Sequence, residues 1–277
     1  MELSTARRLA DLNLRFYTEH AENFGDARPR LAAGVRRVLA GIAPAARVLE
    51  LGCGDGKVGR ALARAGVSDY LGLDASEAML ERARRLTRGL TKEERRLPHC
   101  EDVGDFAAGD VSTAPSLSGD VPTGTEPAPP TFRWADLMDP GWSGALPDEP
   151  FDWILAFAVF HHLPGRALRV AALRTLAERL APGGRVVLSN WQFTRSERLM
   201  RRIVPWAQAG LGEADVEPGD YLLSWERKGT RGLRYVHLLD PAEMARTAPE
   251  AGLRVIETFS ADGVTDDLSE YFFMVNC

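Results

Sequence analysis

Apolar residues recur at helical spacing through the first forty positions: Leu9, Leu12 and Phe16, then Leu31, Val35, Val38 and Leu39. This period predicts two amphipathic helices, separated at Gly25–Pro29 where glycine and proline interrupt it. Further on, the run Val48-Leu49-Glu50-Leu51 meets a glycine-rich turn, and a helical pattern follows over Val58–Ala65. That sequence reads as strand, tight turn, helix. Tyr70-Leu71-Gly72-Leu73 ending in Asp74 predicts a second strand, and Ser76–Leu86 its helix, with Ser76 as N-cap. Phe132–Trp134, Phe151–Phe157, Arg185–Ser189, Leu253–Phe259 and Tyr271–Val275 supply five more strands. A helix over Leu168–Leu180 lies between two of them, stopped by Pro182-Gly183-Gly184. Such alternation predicts an α/β fold with a largely parallel sheet and helices on both faces.

Two segments interrupt the pattern. Residues 101–130 are rich in Gly, Pro, Ser, Thr and Asp, with too few large apolar side chains to offset the entropy of ordering, and are expected to form a mobile surface loop. Residues 191–239 hold Trp191, Phe193, Trp206, Tyr221, Trp225 and Tyr235, more aromatic surface than a connection needs, and are expected to form a cap. The expected organisation is one domain over 1–277, with a helical N-terminal cover at 1–45, a cofactor-binding core at 46–190 and a C-terminal helix and strands at 240–277.

Composition narrows the class little. Hydrophobic residues at 45% and charged residues at 26% are ordinary for a folded globular chain. The longest apolar run, Trp153–Phe160, is too short for a membrane span, and the N-terminus lacks the apolar core of a signal peptide. Cys53, Cys100 and Cys277 are odd in number and share no metal-ligand spacing, which points to free thiols and a cytoplasmic location. The net charge of −5 includes −6 from residues 101–130 alone, so the remainder is close to neutral and acidity does not exclude a nucleic-acid partner.

The chemistry concentrates at the strand ends. In Glu50-Leu51-Gly52-Cys53-Gly54-Asp55-Gly56 the glycines allow a sharp turn and close ligand approach at the carboxyl end of a strand. Gly54, Gly56 and Gly59, with Asp74 twenty residues beyond Gly54, also satisfy a dinucleotide fingerprint. Glu50 and Asp55 bracket the glycines, however, and would repel a pyrophosphate while tolerating an ammonium and a sulfonium. Asp74 offers two acceptor oxygens to a pair of ribose hydroxyls, or else caps a helix. Asp136-Leu137 suits an adenine amino group and ring. Cys53 reads as a small packed residue, without a catalytic role.

Val48–Gly56, Leu71–Ser76, Ala135-Asp136-Leu137, Phe151–His162 and Leu180-Ala181-Pro182-Gly183-Gly184 resemble, in order, the motifs of class I S-adenosylmethionine-dependent methyltransferases. The resemblance spans roughly residues 46–190. It implies a Rossmann-like, doubly wound, seven-stranded, mostly parallel sheet with the last strand antiparallel. It also implies S-adenosylmethionine as cofactor, held by Tyr17, Glu50, Gly52, Cys53, Gly54, Asp74, Ala75, Asp136, Leu137 and Phe157.

A narrower resemblance lies outside this core. Phe16-Tyr17, His20-Ala21, Phe24 and Arg28, then Ala158–His162, Gly219–Trp225 and Arg234-Tyr235-Val236-His237 are similar to the tRNA wobble-uridine carboxymethyl methyltransferases, which esterify 5-carboxymethyluridine. The chain departs from that family at Pro29-Arg30, Ser224-Trp225 and Tyr235-Val236-His237, where the family carries Pro-Trp, Pro-Trp and Tyr-Tyr-His. The resemblance implies Arg28 and His161 as catalytic residues and His162, Tyr221, Trp225 and Tyr235 as substrate contacts. Methyl transfer from a sulfonium is an in-line displacement that needs no metal, and a carboxylate acceptor needs orientation by a cation such as Arg28 in place of a base. Arg28 equally suits the cofactor's own carboxylate, and either histidine suits a proton-bearing acceptor.

The basic run Arg82, Arg84, Arg85, Arg88, Lys92, Arg95 and Arg96, and Arg195, Arg198, Arg201 and Arg202, read either as solvated helix faces or as RNA contacts. tRNA and a small-molecule acceptor both stand as expected partners, with a small activating subunit as some tRNA methyltransferases need. A non-catalytic cofactor-binding partner subunit is the remaining alternative.

Overall fold

The computed structural model describes residues 1–21, 30–88, 128–227 and 229–277. The break at Gly25–Pro29, the loop expected over 101–130 apart from its last three residues, Arg28, and Lys92, Arg95 and Arg96 lie outside the described residues.

The element order is α1 (Leu3–Glu19), α2 (Ala33–Leu39), β1 (Arg47–Leu51), α3 (Lys57–Arg64), β2 (Asp69–Asp74), α4 (Glu77–Arg88), β3 (Thr131–Trp134) and β4 (Phe151–Phe157), then α5 (Arg166–Glu178), β5 (Leu180–Trp191), the one-turn α6 (Glu197–Met200), β6 (Asp220–Arg227), β7 (Thr230–His237), α7 (Pro241–Glu250), β8 (Leu253–Ala261) and β9 (Ser269–Asn276). All seven strands read from the sequence enter one sheet, ordered β3-β2-β1-β4-β5-β9-β8. β1 runs parallel to β2 and β4, β2 to β3 and β4 to β5, while β9 is antiparallel to both β5 and β8. Chain order therefore reverses on either side of β1, which opens a crevice at the carboxyl ends of β1 and β4.

The two-residue period of the strands splits the core into two layers. Leu49, Leu51, Leu73, Ile154 and Leu188 face α5 and α7, packing on Leu173, Leu176 and Met244. Val48, Tyr70, Leu155 and Val187 face the opposite side, against Val38 of α2, Leu62 of α3 and Leu80 of α4. Helix starts follow local chemistry. Ser76 Oγ accepts the Met79 amide at 3.4 Å, and Asp240 accepts the Glu243 amide at 2.7 Å ahead of Pro241 in the first turn of α7.

Two boundaries differ from expectation. α5 ends at Glu178 because Leu180 already pairs with Phe151, and Ala181–Gly184 bulges out before pairing resumes at Trp153 and Arg185. The cap is built on an antiparallel hairpin, β6 with β7, preceded by short turns. Leu9 of α1 packs with Trp206, Leu222 and Tyr235 of that cap, so the N-terminal helix and the cap share one apolar cluster. Among the described residues no helix is long and apolar enough to cross a membrane.

Candidate active site

The turn after β1 is stitched to the end of β2. Gly52 and Gly54 take φ of +63° and +54°, a backbone conformation that costs a side-chain-bearing residue. A Cβ on Gly52 would sit 2.4 Å from Val159 Cγ2. Cys53 N–H donates to the Leu73 carbonyl at 3.0 Å. Asp74 Oδ2 accepts the Gly54 amide at 2.9 Å and Oδ1 the Ser76 amide at 2.8 Å. Burial pushes the Asp74 carboxyl above its ordinary range, and the backbone amides work against that push. Each oxygen keeps a further lone pair, and Asp74 lines the adjoining cavity.

That cavity, of about 280 Å³, lies at the carboxyl edge of the sheet and is closed on one side by α1. Eight of the ten expected cofactor residues line it: Tyr17, Gly52, Gly54, Asp74, Ala75, Asp136, Leu137 and Phe157. Glu50 and Cys53 do not. Glu50 is buried beneath the turn and accepts a short hydrogen bond from Tyr70 Oη; burial raises its pKa to about 8, so it is largely neutral at pH 7. The Cys53 thiol is buried under the same turn, and burial pushes its pKa up.

Asp55 also turns away, toward Lys57 at 3.6 Å and Arg82 at 3.8 Å. The negative edge expected from Glu50 and Asp55 is supplied instead by Asp74, Asp136 and Asp11. Asp136 Oδ1 accepts the Met138 amide at 2.9 Å, and Oδ2 lies 3.0 Å from Arg7, which also reaches Asp11 at 3.1 Å. Arg82 is buried, which removes it from the expected RNA-facing run. Arg195 turns to Glu270 at 3.4 Å, outside the one-turn α6 that carries Arg198.

The two adjacent histidines separate. His162 lines the cavity, its Nε2 2.8 Å from Tyr17 Oη and its Nδ1 2.9 Å from the Tyr235 carbonyl oxygen. His161, the expected catalytic residue, is fully buried and stacks on Trp191, whose amide lies 3.4 Å from His161 Nδ1. The correction follows from the turn geometry: neighbouring side chains of the 3-10 turn Phe160–His162 point to different sides, and only the second reaches the cavity.

The cap aromatics expected to meet substrate are likewise committed to packing. Tyr235 is fully buried and donates to Asp220 Oδ1 at 2.7 Å, Tyr221 packs edge-on against Phe193, and Trp225 stacks on His20. None of the three lines the cavity.

Sequence reasoning missed Asp11, Asn13 and Leu14 of α1, Met79 of α4, and Ala158, whose φ is +58° at the end of β4. Trp191, counted there among the cap aromatics, also lines the cavity. Asn13 carried a signal: it is a polar residue in the buried stripe Ala6, Leu9, Asn13 and Phe16 of an otherwise regular amphipathic helix.

A doubly wound sheet of this strand order, with an acid-edged cavity at its switch point and a glycine turn bonded to the Asp74 carboxylate, defines the architecture of a nucleoside-cofactor enzyme. The methyltransferase domain family model matches residues 23–258. The chain belongs to that family and is a methyltransferase, with the fold of the S-adenosylmethionine-dependent enzymes. Among solved structures it is similar to the CcbJ methyltransferase of Streptomyces caelestis, at 18% identity and a TM-score of 0.56, covering 97% of this chain and 98% of that one. It is also similar to an S-adenosylmethionine-dependent methyltransferase of Methanosarcina mazei, at 14% identity and a TM-score of 0.57, covering 88% and 97%. Among curated proteins it is 32% identical over 65 residues to probable tRNA methyltransferase 9B of Mus musculus. That match covers 22% of this chain and 14% of the relative.

Proposed function

We propose that the chain transfers the methyl group of S-adenosylmethionine to a carboxylate borne by a modified uridine of tRNA, forming a methyl ester. The observation that carries this reading is the meeting of segments far apart in sequence. Phe16, Tyr17 and His20 of α1, His162 after β4, and Trp225 and Tyr235 of the cap are the residues that resemble the carboxymethyluridine family. Phe16 lies 5.3 Å from Trp225, His20 stacks on Trp225 at 4.9 Å, and His162 bonds Tyr17 and the Tyr235 carbonyl, all beside the cavity. The partial likeness to a tRNA methyltransferase lends further support.

The cofactor fits the residues present. Asp74 has acceptor capacity left for two hydroxyls, Leu137, Met138 and Met79 form an apolar slot for a flat base, and the backbone at Gly54 stands open where a side chain would fill space. When bound, it supplies an electrophilic methyl whose bond to sulfur breaks, with the electron pair left on sulfur, as the acceptor oxygen bonds to carbon. The protein's part is to hold the acceptor at near-attack distance and to keep water out, for which α1 closes one side.

Incubation with methyl-labelled cofactor and tRNA bearing free 5-carboxymethyluridine tests the reading. Label is expected in tRNA, released as methanol by mild alkali, with binding that falls steeply as salt rises. An isolated chain that binds cofactor but needs an added small subunit for turnover fits the same reading. Label confined to a small-molecule pool overturns it. A second reading, a methyltransferase for a proton-bearing small metabolite, is favoured by one feature: no Lys or Arg lines the cavity among the described residues, whereas the His162 imidazole does.

A further inference from the structure

Tyr17 Oη and His162 Nε2 face each other at 2.8 Å on the cavity wall, and the direction of that hydrogen bond is decided on the far side of the imidazole. Nδ1 lies 2.9 Å from the Tyr235 carbonyl oxygen, an acceptor only. A lone pair at Nδ1 would confront the oxygen's own, so Nδ1 carries the hydrogen. Asn13 reinforces this arrangement. Its Oδ1 accepts the Tyr235 amide at 2.9 Å and its Nδ2 donates to the Tyr235 carbonyl at 3.0 Å, so one side-chain amide grips both polar groups of a single residue. The same Nδ2 is 3.3 Å from Nδ1, too far to outcompete the carbonyl for the ring nitrogen.

A neutral imidazole protonated at Nδ1 has only a lone pair at Nε2, so the Tyr17 hydroxyl must donate to it. The phenolic oxygen is then left with lone pairs, and no proton, for the cavity that Tyr17 lines. We infer that Asn13, His162 and Tyr17 form a relay that turns acceptor character into the cavity and selects a positively charged ligand over a neutral one of the same shape. On the methyl-donor assignment, that means the sulfonium cofactor over its thioether product. Asn13 and His162 are positioning residues here, and Tyr17 is the group that meets the ligand. The opposite tautomer would free the phenol proton for the cavity and suit an anion instead.

Imidazole nitrogen and carbon NMR shifts of the ligand-free protein at pH 8, with the His162 signal assigned by its loss in His162→Gln, report the tautomer directly. The Nδ1–H form is expected. Asn13→Leu is expected to shift the signal toward a mixture of tautomers. Calorimetry with S-adenosylmethionine and S-adenosylhomocysteine should then show the ratio of the two affinities moving at least fivefold toward the thioether in Tyr17→Phe, which keeps the ring and its packing. An Nε2–H tautomer, or a Tyr17→Phe variant that leaves the ratio unchanged, overturns the inference. Failure of the wild-type chain to bind either compound would instead sink the methyl-donor assignment, and the tautomer would still be read from the first measurement.

Discussion

At the residue scale the cofactor cavity depends on a carboxylate that does two things at once. Asp74 holds the Gly54 and Ser76 amides in place and still offers acceptor capacity to a ligand. Asp74→Ala removes both functions, and because hydrogen bonds to a charged group contribute roughly 1.5–3 kcal/mol each, cofactor affinity is expected to fall about 100-fold or more by calorimetry. Glu50, two positions before the turn, titrates in the opposite setting. Its pKa is raised to about 8 from 4.5 because burial disfavours the charge, so the folded state holds a proton that the unfolded chain has released over that window. Stability should therefore decline as pH climbs from about 4.5 toward 8, by on the order of a few kcal/mol. Thermal melts from pH 6 to 8.5 should show a falling midpoint in the wild type and a nearly flat one in Glu50→Gln, whose amide oxygen can still accept from Tyr70. Parallel slopes in the two proteins would show that another group is responsible.

At the element scale the β6–β7 hairpin is fastened by buried charge. His237 Nδ1 lies 2.7 Å from Asp220 and Nε2 2.8 Å from Glu243 of α7, while Arg169 of α5 reaches Glu243 at 3.2 Å and Glu217 at 3.3 Å. Burial lowers the His237 pKa, but the two carboxylate hydrogen bonds outweigh it and the net shift is upward. The imidazolium's contribution to stability is thus complete below the unfolded pKa of about 6.5 and lost as pH rises through the raised folded value. Removing one member of such a network leaves the others uncompensated, so His237→Gln should cost about 3 kcal/mol near pH 6 and less at pH 9. Hydrogen exchange over residues 220–237 is the measurement, and unchanged protection at pH 6 would contradict the clasp.

At the scale of the whole molecule, α1 belongs to two structures. Its Leu9 is fully buried with Trp206, Leu222 and Tyr235 of the cap, while Asp11, Asn13, Leu14 and Tyr17 of the same helix wall the cavity. Cap packing and ligand binding are therefore linked through one rigid element. Leu9→Ala, far from the ligand, should destabilise the fold by about 2–5 kcal/mol and also weaken cofactor binding, because a loosened helix displaces the wall. Denaturant melts and calorimetry on the same preparation check this, and full cofactor affinity in a destabilised variant would separate the two roles.

What the sequence alone determined is whatever depends on neighbours along the chain. The seven strands follow from apolar runs and their period, the turn after β1 from glycines that accept positive φ, and the placement of Asp74 and Asp136 from their positions at strand ends. Only the tertiary structure decided which way side chains on irregular backbone turned. Glu50 and Asp55 flank the glycines yet face inward, His162 and not His161 reaches the cavity, and the cap aromatics pack on α1 and one another. Asn13 takes its meaning from a peptide group more than two hundred residues away. The physical reason is one of range. Backbone preference and hydrophobic period act within a few residues, whereas burial, charge pairing and proton direction are set by groups that meet only after the sheet has closed.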